Sequence, residues 1–142
     1  MNQQIAGLQR PITERAFTVR LSPTRRGARL ARLLTVAHLG LWGLPSAAAA
    51  HIVAELAANA AVHGRVPGRD FQLTVTVSED TTLRIELTDT KGDRLPVAAS
   101  APAEHSESGR GLLIVEAMAD RWGVALGPVP RKTVWAELDL VP

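Results

Sequence analysis

Residues 71–89 read FQLTVTVSEDTTLRIELTD. Phe71, Leu73, Val75 and Val77 alternate with polar residues, and Leu83, Ile85 and Leu87 repeat the pattern after a polar turn. Successive side chains of a strand point to opposite faces, so this stretch predicts two strands, each with one apolar face. Strands buried on both faces would be apolar throughout. The alternation therefore points to a sheet covered on one side only, with antiparallel neighbours.

Working outward, FTVRL (17–21) alternates in the same way and reads as a first strand. SPTRRGARLARLLTVAHLGLWGLP follows, with Ser22 placed to cap a helix and Pro23 at its first position. Leu30, Leu33, Leu34 and Ala37 recur at helical spacing and are expected to face the core, with Arg25, Arg29 and Arg32 opposite. Gly40 and Gly43 end this helix, and a second is expected from Ala47 to His63, stopping at Gly64. Residues 90–109 are small, polar and Pro-rich with no usable period, the signature of a functional or disordered loop. RGLLIVEAMADRWG then predicts a helix whose apolar residues run almost all round, hence a buried one. GVALGPVPRKTVWAELDL closes as a hairpin, with Val134, Ala136, Leu138 and Leu140 on one face. The three Trp (42, 122 and 135) are expected in the core. The order β-α-α-β-β-loop-α-β-β groups strands and helices. It predicts an α+β fold, a two-layer α/β sandwich whose mostly antiparallel mixed sheet is covered by helices on one face.

With 142 residues, the chain is expected to form a single domain, 1–142, behind a flexible start over 1–15. Hydrophobic residues make up 46% and charged residues 21%, which excludes a disordered chain. There is no cysteine, so disulfides and thiolate metal sites are excluded. With no long apolar run and no signal peptide at the polar start MNQQIAGLQR, a cytoplasmic protein without membrane association is expected. Sixteen basic and fourteen acidic residues nearly balance, yet seven Arg fall between Arg10 and Arg32 against the single acid Glu14. That cluster could attract phosphates. It lacks aromatic interleaving, and Arg is favoured throughout this chain, so direct nucleic-acid binding is not expected; an acidic partner fits the same face.

Four short stretches carry chemistry. In AELAANAAVHG (54–64), Glu55 and Asn59 are four apart and share one helical face. The carboxylate can orient a water or hydroxyl, and the carboxamide oxygen can bind a hard cation beside phosphates. Both could equally be solvated polar residues on an Ala-rich helix. Asp89 ends a strand and is followed by Thr90, Lys91 and Gly92. It can accept a hydrogen bond from an exocyclic amine, or simply make a turn. Gly109-Arg110-Gly111-Leu112 opens the third expected helix, where free N–H groups make an anion site, or else a hinge. Lys132-Thr133 starts the last strand, where Lys can meet a phosphate or shield a sheet edge.

In this order the four stretches resemble the boxes of the GHKL (Bergerat-fold) ATP-binding domains. ELAANAAVHG is similar to the N-box, TDTKGDRLP to the first Gly box and SGRGLLIVEAMADRWGV to the second; KTVWAEL is similar to the closing strand of short actinobacterial anti-sigma-factor serine/threonine kinase-like regulators. The likeness spans roughly residues 17–140. It implies ATP and Mg²⁺ as cofactors, with Asn59 on the metal and Glu55 as catalytic base. It implies Asp89 on the adenine amine with Thr133 nearby through water, Gly92, Gly109, Arg110, Gly111 and Leu112 around the nucleotide, and residues 93–108 as an ATP lid. The first box reads Asp89-Thr90-Lys91-Gly92-Asp93 where Asp-x-Gly-x-Gly is usual, and Arg131 stands where Gly is more usual. No phosphoacceptor His with dimerisation helices precedes the domain, which points away from a histidine kinase. The function implied is a Mg-ATP-dependent serine/threonine protein kinase acting on an anti-anti-sigma (STAS) protein in transcription control, binding a sigma factor as well, with a homodimer as a further expectation. The alternative is a regulator that sequesters its partner without turnover.

Overall fold

The computed structural model describes residues 14–63, 69–79, 81–89, 106–127 and 131–140. The elements are β1 (Glu14–Leu21), α1 (Arg25–Leu41), α2 (Ala47–His63), β2 (Phe71–Ser78), β3 (Thr82–Asp89), α3 (Ser106–Met118), β4 (Arg121–Leu126) and β5 (Lys132–Asp139). The strands form one sheet in the order β1-β2-β3-β5-β4, and each described pairing is antiparallel. The chain is the α+β sandwich its alternation predicts. In β2 and β3 every second residue is buried, and these apolar side chains meet the helical layer. α2 lies at the centre of that layer, packed on both α1 and α3 and over β3 and β5.

Ala explains how α2 fits. Ala49, Ile52, Val53, Leu56, Ala57 and Ala60 are buried along one side, and the short side chains let neighbouring helices come close. Three expectations for the other helices are corrected. Thr24, not Ser22, caps α1: its hydroxyl accepts the Gly27 N–H at 3.1 Å, so Pro23 stands before the cap. The side of α1 that meets the core is Gly27, Ala31, Thr35 and Leu39, whereas Leu30, Leu33 and Ala37 are exposed and Leu34 is half-buried. A Cβ on Gly27 would lie 1.9 Å from the Ser22 carbonyl oxygen, so only glycine fits against the turn that leads into α1. In α3, Val115 is buried but Leu113 is 64% exposed, so this helix sits at the margin of the core. Trp42 and Trp122 pack against the core, but Trp135 lies on the sheet's open face.

That open face is polar. Arg84 donates to Glu86 at 2.7 Å and to Glu137 at 2.8 Å, and its guanidinium stacks over the Trp135 ring at 4.5 Å. Arg121 donates to Glu137 at 2.8 Å and pairs with Asp139. The network ties β3, β5 and β4 together across their strands. Gly123, the register partner of Trp135, leaves room for the indole; a Cβ there would be 2.8 Å from the ring.

Candidate functional site

Strand register fixes which described segments share one end of the sheet. β2 begins where β3 finishes, since Gln72 is the register partner of Thr88. β5 begins there too, because Lys132 pairs with Asp89. α3 leads into β4 at Arg121, which pairs with Glu137 near the far end, so the N-terminus of α3 points back toward Asp89.

On α2, Glu55 and Asn59 are half-buried and lie along one flank of the buried side, next to Ile52. At about 100° per residue they fall some 40° apart, so both functional groups face the same way. His51, one turn earlier, places Nε2 3.6 Å from the Glu55 carboxylate. They are the two polar side chains of residues 52–61.

Asp89 is the notable group of β3. Leu83, Ile85 and Leu87 point toward the helices, and the next inward position is Asp89, only 6% exposed. Its carboxylate lies 3.8 Å from Lys132 Nζ, an ion-pair distance longer than a hydrogen bond. Continuing an apolar row with a carboxylate requires partners, and Lys132 is one of them. Glu55, Asn59 and Asp89 all belong to the helix-covered side of the sheet.

Thr133 is the register partner of Thr88, and their hydroxyls lie 2.7 Å apart. Strand alternation puts this pair on the open face, while Asp89 points to the helices. α3 starts at Ser106, so Gly109, Arg110 and Gly111 fall within its first two turns. Ser106, Glu107 and Ser108 suit a first helical turn, which extends the helix toward its N-terminus. The orphan N–H groups of this terminus are those near 106–109. Leu112 is half-buried and packs against the core. Gly92 and most of the expected lid, 93–105, lie outside the described residues.

A cavity of about 460 Å³ opens on the other face of the sheet at this same end. Arg20, Gln72, Thr88 and Thr133 form one cross-strand row along it, with Arg69 and Arg131 at its rim. Sequence reasoning did not single out this row, because its members come from four strands and only the register aligns them.

A family model described as the histidine kinase-like ATPase domain matches residues 21–136. Among solved structures, the crystal structure of the RsbU and RsbW domains of Rv1364c from Mycobacterium tuberculosis superposes with a TM-score of 0.69 at 18% identity, covering 89% of this chain and 32% of that one. The crystal structure of the SiaB-SiaC complex from Pseudomonas aeruginosa gives a TM-score of 0.66 at 12% identity, covering 96% of this chain and 97% of that one. The chain thus spans about a third of the first and nearly all of the second. At these identities the likeness is one of fold. No curated protein matches.

Proposed function

This chain belongs to the histidine kinase-like ATPase domain family, and on that premise we propose that it is an ATP-binding regulator of the anti-sigma-factor type that phosphorylates a serine or threonine of a STAS-domain partner. The observation that carries the reading is the inward carboxylate of Asp89 at the strand end, on the side of the sheet where Glu55 and Asn59 lie. The solved relatives support a regulator that works through other proteins: one is a complex of SiaB with SiaC, the other joins an RsbW domain to an RsbU domain.

Asp89 accepts the exocyclic amine of adenine; a carboxylate offers roughly four acceptor sites, so the Lys132 ion pair does not exhaust it. The backbone N–H groups at the start of α3 face the phosphates, favoured by the helix dipole. The residues present fit a magnesium ion held jointly with a nucleotide. Among the described residues no group of three or more His, Asp or Glu gathers, so the half-buried Asn59 oxygen is the protein donor, with phosphates and water completing the shell. Mg-ATP, when bound, supplies the transferable phosphoryl group and the charge that neutralises it. Glu55 accepts the proton of the attacking hydroxyl, and the neighbouring His51 orients its carboxylate.

Calorimetric titration with ATP, with and without Mg²⁺, tests the nucleotide site; no heat at millimolar nucleotide would refute it. Phosphate transfer from labelled ATP to STAS proteins tests the kinase. Glu55→Gln is expected to abolish transfer while leaving ATP affinity within about threefold, since the base acts on the hydroxyl and not on binding. The altered first Gly box, Asp89-Thr90-Lys91-Gly92-Asp93, favours a second reading, a regulator that sequesters its partner without turnover. ATP binding without transfer to any partner would select it.

A further inference from the structure

α1 wears its apolar side outward. Leu30, Leu33, Val36 and Leu41 are 40%, 45%, 36% and 82% exposed, while Gly27, Ala31, Thr35 and Leu39 face the core. At about 100° per residue, Leu30, Leu33, Val36, Ala37 and Leu41 share an outward arc of roughly 140°. The side of α1 opposite them is filled by Gly27, Ala31, Thr35 and Leu39, all buried. A contiguous apolar face fixed outward in this way marks a contact surface.

Charge identifies what covers it. Arg26 and Arg29 stand within the arc, Arg25 and Arg32 border it, and α1 contains no acid. Among the described residues none of the four makes an ion pair. Arg25 and Arg26 sit at the helix N-terminus, where the dipole disfavours cations, so helix stability does not account for them. We propose that the outward face of α1 is the docking site for an amphipathic helix of a protein partner, with apolar residues at its centre and carboxylates on its rim. This rests on the reading of the chain as a regulator that acts through a protein. A second copy of the chain fits less well, since α1 offers no carboxylate to pair with these Arg. An anionic membrane surface is the alternative occupant that vesicles test.

The probe is a synthetic helical peptide of about four turns, with Leu at i, i+3, i+4 and i+7 and Glu on both flanks. It is titrated into the full ¹⁵N-labelled chain and followed by amide shifts. The expected shifts are confined to residues 25–41. Leu33→Ser with Val36→Ser weakens binding about tenfold or more. Arg29→Glu with Arg32→Glu abolishes it and restores binding to a peptide carrying Lys in place of Glu. All four positions are exposed, so the variants keep the fold, which their unchanged amide spectra elsewhere verify. Four outcomes overturn the proposal: no shifts at millimolar peptide, shifts centred elsewhere, a dimer that Leu33→Ser disperses, or α1 shifts produced by phosphatidylglycerol vesicles and not by the peptide. ATP titration of the same variants is expected to match the parent chain. Loss of ATP binding in the parent would overturn the nucleotide reading and leave the docking surface standing.

Discussion

Asp89 holds the position of β3 where the row Leu83, Ile85, Leu87 calls for another apolar residue, and it is 6% exposed there. A carboxylate kept in such a place costs desolvation free energy that its partners, Lys132 at 3.8 Å among them, offset in part. Removing its charge therefore separates function from stability. Asp89→Asn keeps the shape, and Lys132, 22% exposed, reaches water to stay solvated. The variant is expected to unfold within about 1 kcal/mol of the parent, or slightly later, because the lost ion pair and the lost desolvation cost offset each other. ATP binding is expected to fall by about a hundredfold or more, since the amide presents a donor as readily as an acceptor to the adenine amine. Denaturant melts and ATP titration on one sample check both halves. A large loss of stability with ATP affinity intact would mean that Asp89 is a structural residue.

Among the elements, α1 is the one whose orientation the chain conceals. Its apolar residues have helical spacing, which establishes that they share a face but not that the face is inward. The face that packs inward is the small one, Gly27, Ala31 and Thr35 with Leu39, and Gly27 also lies close against the Ser22 carbonyl. Gly27→Ala is expected to destabilise the protein by about 2–4 kcal/mol, because the obstructing atom is backbone and cannot rotate away. Gly123→Ala is expected to cost less, about 1–2 kcal/mol: its Cβ meets the Trp135 ring at 2.8 Å, and an indole on the open face can tilt. Chemical denaturation of both ranks them, and the reverse order would contradict this account. The same reasoning separates what was legible elsewhere. Strands β2 and β3 could be read from alternation, and α2 from its Ala run bounded by Gly64, since these are local properties. The flank shared by Glu55 and Asn59 follows from a spacing of four. Thr133 could not be placed, because only the β3–β5 register assigns it to the face opposite Asp89. The start of α3 at Ser106 also escaped, because a Ser-rich turn reads as loop or as helix terminus with equal ease.

For the molecule as a whole, the helix-covered side of the sheet carries the apolar core and the candidate nucleotide residues, and the open side carries the charges that hold the strands in register. Those charges set a pH dependence. Arg121 and then Arg84, by hydrogen bonding, hold the Glu137 carboxyl below its usual range, and Arg121 does the same for Asp139. A carboxylate whose pKa is lower in the folded than in the unfolded chain adds stability above the unfolded value of about 4. That contribution declines as pH falls toward the folded value and is gone below it. Stability is therefore expected to be level from neutral pH down to about 5 and to decline below it, in the window between the unfolded and folded carboxylate values. Glu137→Gln should lower neutral-pH stability by no more than about 1 kcal/mol, because solvent screens a half-open ion pair, and should make the acid decline shallower. Added salt should reduce the difference between parent and variant at neutral pH. Urea melts from pH 7 to pH 3 measure each of these quantities. An acid decline that Glu137→Gln leaves unchanged would move its origin away from Glu137, with Asp139, held low by the same Arg121, the next carboxylate to replace.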